Sequence, residues 1–328
     1  MRTLLKCAAP LAALLAAQPA LAAAPAGDWQ LVWSDEFTAT TIDRTKWDFD
    51  VDCWGGGNNE RQCYTDKVRN ARVVAGKLVI TARREPTTGP ALPASQRPNP
   101  SDPGTLVKRD YSSARMVTRG KASWRYGRIE VRASLPQGQG TWPAIWMLPE
   151  KWVYGGWAAS GEIDIMEAVN LGVPCQACST GKEDTILGTI HFGKQWPGNV
   201  FASTSIHYPA VLKGYHTYAI EWTPDRIIWQ VDGKTYATRT RNEWWSGGSS
   251  APGAPFDQSF HLLLNLAIGG GLPESRGTGG VSTANFPKRF LIDWVRVWQK
   301  PMTTASTPPA VGGQTVAMAA PARQEGGK

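Results

Sequence analysis

Three carboxylates within six residues dominate the chemistry this sequence could perform: Glu162, Asp164 and Glu167, in the run Gly161-Glu162-Ile163-Asp164-Ile165-Met166-Glu167. The run reads as a β-strand, whose side chains alternate between two faces. Glu162 and Asp164 then share one face while Ile163 and Ile165 enter the core. Strict alternation would turn Met166 outward with the acids and Glu167 inward. One extra residue, a β-bulge near Ile165 and Met166, returns Glu167 to the acidic face. A solvated, charged strand is the plainer alternative. Against it, Asp and Glu are poor strand formers and three like charges on one face repel.

Clustered carboxyls beside aromatic rings suit glycoside hydrolysis. One carboxyl must hold a proton for the leaving oxygen, and the other must be ionised to attack or stabilise the anomeric carbon. Asp164, between them, can share a proton and hold their pKa values apart. Spacing alone does not say which Glu plays which part. In Thr141-Trp142-Pro143-Ala144-Ile145-Trp146 a strand places Trp142, Ala144 and Trp146 on one face, where indoles can stack on sugars or serve as core. Along an extended strand Glu162 and Glu167 stand roughly 13–16 Å apart. A retaining pair needs its carboxyls about 5–5.5 Å apart, so the bulge has to shorten the path.

The elements that must position these residues read as strands. Segments 77–82, 128–134, 162–169, 186–192, 215–222, 226–231, 261–268 and 290–298 are rich in β-branched and aromatic residues, several with polar and apolar positions alternating. Asp232-Gly233 marks a tight hairpin before Lys234. No stretch carries a long helical period with caps. With 34 Gly and 24 Pro, the chain is expected to be all-β, a sandwich of two antiparallel sheets with one face free to form a groove. Residues 28–300 read as one domain, with a surface loop at 87–104. Residues 301–328, poor in large apolar side chains, read as a disordered tail or linker.

The 328 residues, 42% hydrophobic and 19% charged, can build a sizeable core. Arg2 and Lys6, an apolar run too short to span a bilayer and an Ala-x-Ala site make residues 1–22 a secretory signal, cut after Ala22 or Ala24. The expected location is extracellular or periplasmic, with no membrane attachment once the signal is removed. Losing Arg2 and Lys6 lowers the formal charge of +8 by two, to +6. No dense basic run supports nucleic-acid binding. Of five Cys, Cys7 leaves with the signal, and an even count in an exported chain suggests disulfides. The local pairs Cys53–Cys63 and Cys175–Cys178 are preferred among three connectivities, with a four-Cys zinc site as the rival.

Residues 31–37 (LVWSDEF), 126–149 (YGRIEVRASLPQGQGTWPAIWMLP), 161–167 (GEIDIME), 188–193 (GTIHFG) and 290–298 (FLIDWVRVW) together resemble the family-16 glycoside hydrolases in their laminarinase-like branch, the endo-1,3-β-glucanases. The resemblance covers about 28–300. It implies a jelly-roll β-sandwich with a concave substrate groove, and retaining hydrolysis without a catalytic cofactor. Glu162 would be the nucleophile, Glu167 the acid/base and Asp164 the supporting acid. It further implies sugar contacts from Asn59, Arg115, Trp142, Trp146 and His191, although a hydrogen-bonded structural histidine is the plainer reading of the last. It implies a structural Ca²⁺ held by Glu36, the Gly76 carbonyl and Asp293. The expected partner is a β-glucan polysaccharide and the expected state a monomer. Because the lichenase branch of that family resembles the unbulged form, the resemblance of the acidic strand to the bulged form implies β-1,3-glucans rather than mixed-linkage β-1,3-1,4-glucans. Agar or carrageenan hydrolysis and non-catalytic β-glucan binding on the same fold are the alternatives.

Overall fold

In β8, the segment Arg128-Ile129-Glu130-Val131-Arg132 shows how the chain divides its two faces. Ile129 and Val131 are fully buried in the core. Arg128 and Glu130 lie on the opposite face and pair at 2.6 Å, with Arg128 also reaching Glu221 at 2.7 Å. The same alternation, repeated from strand to strand, generates the whole molecule. The structure is a computed structural model describing residues 25–301, so the expected signal peptide, and all but the first residue of the expected tail, lie outside the described residues.

Among the described residues there are seventeen strands. They are β1 (Gln30–Asp35), β2 (Asp48–Asp50), β3 (Gln62–Tyr64), β4 (Ala71–Val74), β5 (Lys77–Pro90), β6 (Leu106–Ser113) and β7 (Arg115–Val117). Then come β8 (Gly127–Ser134), β9 (Thr141–Pro149), β10 (Glu162–Glu167), β11 (Thr185–Gly193) and β12 (Asn199–His207). The last are β13 (His216–Trp222), β14 (Arg226–Val231), β15 (Lys234–Thr240), β16 (Phe260–Ile268) and β17 (Lys288–Gln299). One four-residue α-helix, α1 (Gly271–Glu274), follows β16.

Seven strands form one sheet in the order β12-β11-β10-β9-β16-β7-β2. Ten form the other, along β15-β14-β13-β8-β17-β5-β6-β3, with β1 on β17 and β4 on β5. All pairings are antiparallel except β3 with β6. Between the sheets lies one continuous core, Ile129, Val131, Ile220 and Val297 facing Ile145, Ile163, Ile190 and Leu264. This is the expected jelly-roll sandwich. Many of the tryptophans serve this core: Trp47, Trp222 and Trp229 are buried. The Asp232-Gly233 hairpin forms as expected, both residues at positive φ (49° and 76°) with Val231 paired to Lys234.

Most strands match the sequence expectation to within two residues, and two differences bear on the site. The acidic strand ends at Glu167 rather than at residue 169. The segment 87–90, expected in a surface loop, belongs to β5, with Thr87 to Pro90 paired against β6 residues 106–109. Its reason lies across the chain: the Cys53 amide donates to the Pro90 carbonyl, and Gly89 sits against the Cys53 sulfur, where a Cβ would collide. Both local disulfides form, Cys53–Cys63 and Cys175–Cys178.

Candidate active site

β10 lies near the middle of the seven-stranded sheet and carries the three acids on its outer face. Gly161 opens the strand at φ 86°, where a Cβ would press on Phe256, Pro255 and Phe260. Ile163, Ile165 and Met166 are all buried in the core, so two consecutive residues point inward. The register against β9 shifts between Asp164 and Met166, and that against β11 between Asp164 and Glu167. This is the expected bulge, and it turns Glu167 back to the face of Glu162 and Asp164. Trp229, from the opposite sheet, donates its indole N–H to the Asp164 carbonyl at 2.8 Å. Gly188 on β11 leaves room for that indole, since a Cβ there would overlap it.

Each acid has its own partner. Trp157 Nε1 donates to Glu162 Oε2 at 2.6 Å and Trp142 Nε1 to Glu167 Oε1 at 2.8 Å. His191, opposite Glu162 on β11, holds Nε2 3.3 Å from Asp164 Oδ2 and 3.8 Å from Glu162 Oε1. Burial, with the neighbouring charges of Glu162 and Glu167, pushes the Asp164 carboxyl well above the usual range, despite His191. Burial likewise raises Glu167 to about 7, outweighing the Trp142 hydrogen bond and the His191 charge. For His191 burial disfavours the cation, but Glu162, Asp164 and Glu167 together lift its pKa to about 9. The cluster therefore combines an Asp164 carboxyl biased toward its protonated form, a Glu167 poised near neutral pH to give or take a proton, and an imidazolium. Such a set can transfer a proton at one point and stabilise charge at another.

The remaining expected sugar contacts divide. Trp146 is paired with Asp164 across the strands, so it shares their face, and its Nε1 donates to Asn265 Oδ1 at 2.6 Å. Arg115 lies on β7 opposite Asn265, stacked 4.4 Å from the Tyr64 ring centroid and 5.3 Å from that of Trp146. Trp142 packs with Val169, Ala267 and Leu272 in a small cluster separate from the main core. Asn59 stands apart, exposed in the Gly-rich loop with a left-handed backbone (φ 59°).

The sequence reading missed the residues that hold these. Buried Glu60 accepts from Gln62 Nε2 at 2.7 Å and Tyr64 Oη at 3.0 Å, and lies 3.9 Å from Arg115. Asn265 Nδ2 donates to Tyr64 Oη at 3.1 Å. A relay thus runs from Trp146 through Asn265 and Tyr64 to Glu60, whose loop is tied by Cys53–Cys63. Two signals were legible: Asn265 is the one polar residue within the run 262–268, and Trp157 stands four residues before the acidic run.

Glu36, Gly76 and Asp293 do not fit a calcium cage. Both Glu36 oxygens accept from Arg296 at 2.8 Å. Asp293 is bonded by Lys77 at 2.7 Å through one oxygen and by Arg132 through the other. Carboxylates already neutralised by three cations have little charge left for a metal ion.

The chain is similar to known proteins over most of its length. The sequence model of Glycosyl hydrolases family 16 matches residues 65–296. A Rhodothermus marinus protein named beta-glucanase is 42% identical over 282 residues, covering 83% of this chain and 85% of that protein. Glucan endo-1,3-beta-glucosidase A1 of Niallia circulans is 39% identical over 82% of this chain, which spans only 38% of that longer protein. Among solved structures, the laminarinase from Rhodothermus marinus superposes with a TM-score of 0.66 at 41% identity, covering 83% of this chain and 97% of that one.

Proposed function

The chain belongs to glycosyl hydrolase family 16, and from that premise we propose that it is an endo-acting glucanase cleaving internal β-1,3-glucosidic bonds of laminarin-type glucans with retention. The observation that carries this reading is the bulged strand: it gathers Glu162, Asp164 and Glu167 on one face, where burial raises Glu167 to a pKa of about 7. Relatives of this chain bear the names glucan endo-1,3-beta-glucosidase and laminarinase, which favours β-1,3-glucan over the other polysaccharides.

In the first step Glu162 attacks the anomeric carbon while protonated Glu167 gives its proton to the departing glycosidic oxygen, leaving a glycosyl ester on Glu162. Glu167, now ionised, takes a proton from water, and that water opens the ester and frees Glu162. Trp157 fixes the Glu162 carboxyl by its hydrogen bond, and His191 Nε2 stands 3.8 Å from its other oxygen. Asp164 keeps a proton between the two glutamates and so limits their mutual repulsion. Trp142, Trp146 and Arg115 hold sugar rings along the face, with Asn59 at its loop edge. The enzyme works as a monomer outside the cytoplasm, its 28–300 domain released from the 1–22 signal and followed by the 301–328 tail. The two disulfides support an oxidising compartment.

The test is reducing-sugar release from laminarin, lichenan and agarose, with the anomer formed first followed by NMR. Laminarin should be cleaved best and release the β-anomer. Preference for agarose or lichenan would overturn the substrate, and an α-anomer released first would overturn retention.

A further inference from the structure

From Glu162 outward, three rings run across the outer face of the seven-stranded sheet. Trp157 donates to Glu162, its ring centroid lies 5.5 Å from that of His191, and His191 lies 5.8 Å from Phe201. Phe201 sits on β12, the last strand of the sheet, paired with His191, which is itself paired with Glu162. It stands two strand spacings from the acidic strand, roughly 9–10 Å. Despite its size Phe201 is 65% exposed, so it contributes little to the core.

The neighbours of Phe201 on that face are small and polar. Ser203 and Ser205 follow it at the same alternation, and Ser203 Oγ lies 3.1 Å from Thr189 Oγ1. An exposed aromatic ring bordered by hydroxyls matches a pyranose, with its apolar C–H face and hydroxyl rim. A lone exposed phenylalanine would need no explanation. Here the ring continues a line that begins at the acids, and the strand beneath it offers hydroxyls in place of the Lys or Pro that commonly protect an edge.

We propose that Phe201, with Ser203 and Thr189 beside it, is a sugar-binding platform that extends the groove over β12 and holds glucosyl units of the polysaccharide beyond the cleavage point. This rests on the reading that the face binds β-glucan, and it adds where a longer chain gains affinity.

The test uses a Glu162→Gln protein, with and without Phe201→Ala, run in native gels containing laminarin, lichenan or agarose. Laminarin should retard the Glu162→Gln protein, Phe201→Ala should weaken apparent affinity about three- to tenfold, and Phe201→Trp should restore it. In the active enzyme, Phe201→Ala should lower kcat/KM on laminarioligosaccharides by a factor that grows with chain length. Unchanged retardation, or a factor independent of chain length, overturns the platform. So does a change confined to oligomeric state on size exclusion, which would make β12 a self-association edge. Phe201-dependent retardation by lichenan or agarose alone would keep the platform and overturn the laminarin reading. Retardation by none of the three overturns both.

Discussion

Glu167 must carry a proton when the glycosidic bond breaks, so its pKa of about 7 sets where activity fails on the alkaline side. The kcat/KM profile should fall as pH rises through that value. His191 is the nearby cation that holds Glu167 and Asp164 down, and His191→Gln should therefore move the alkaline limb to higher pH. A limb that stays put would remove His191 from the proton network and leave it a packing role beside Trp157. Replacing either glutamate tests the chemistry more directly. Glu162→Gln and Glu167→Gln keep the shape and the acceptor for each indole N–H, yet each should cost roughly 10²–10⁴ in kcat on laminarin. Near-normal turnover in either folded variant would contradict the assigned roles.

A bulge makes β10 chemically useful, and the bulge depends on two neighbours far away in sequence. Trp229 ties down the Asp164 carbonyl, and Gly188 leaves the space that lets it do so. Gly188→Ala should destabilise the fold by about 1–3 kcal/mol through overpacking, seen as a lower urea midpoint. The Gly-rich loop before β3 depends in the same way on its staple. Cys53–Cys63 closes ten residues around Glu60, which holds Tyr64 and Arg115 under Trp146. Cys53→Ser should cost about 2–4 kcal/mol and raise KM for laminarin more than it lowers kcat. A wild-type urea midpoint insensitive to reductant would argue against that staple.

For the whole molecule, the acidic cluster is a stability cost that grows with pH. Asp164 and Glu167 have folded pKa values above their ordinary ones, so the folded protein binds these protons more tightly. The stability they confer is present at low pH and lost as pH rises, for Glu167 from about 4.5 through about 7. His191, raised to about 9, adds stability below its ordinary 6.5 that is lost between there and about 9. His261 works in the opposite direction. Burial, with Arg119 nearby, lowers its pKa to about 4, so stability is lost as pH falls from 6.5 toward that value. Above pH 6.5 the His261 contribution no longer offsets the Glu167 and His191 losses, so the thermal midpoint should fall as pH rises from 6.5 toward 9. At pH 8 Glu167→Gln should be more stable than the wild type by roughly 1–3 kcal/mol, a shift of a few degrees in Tm. Equal midpoints across pH 5–8 for the two proteins would contradict this linkage.

Much of this was legible in the chain because strand alternation is local. The two-residue period of 128–132 and 162–165 assigns each side chain a face before any partner strand is known. The misfit of Glu167 to that period announced the bulge, and Asp232-Gly233 declared its own hairpin. The two disulfides join cysteines only ten and three residues apart. What the tertiary structure decided depends on which strands become neighbours, a consequence of packing two sheets over one core. Tyr64 meets Asn265 across 201 residues, and Glu36 meets Arg296 across 260. The first pairing built the relay under Trp146, and the second gave an expected calcium ligand to an arginine. β12 stayed invisible because an edge strand with one exposed face needs little hydrophobic pattern, and only its seat beside β11 sets Phe201 in line with Glu162.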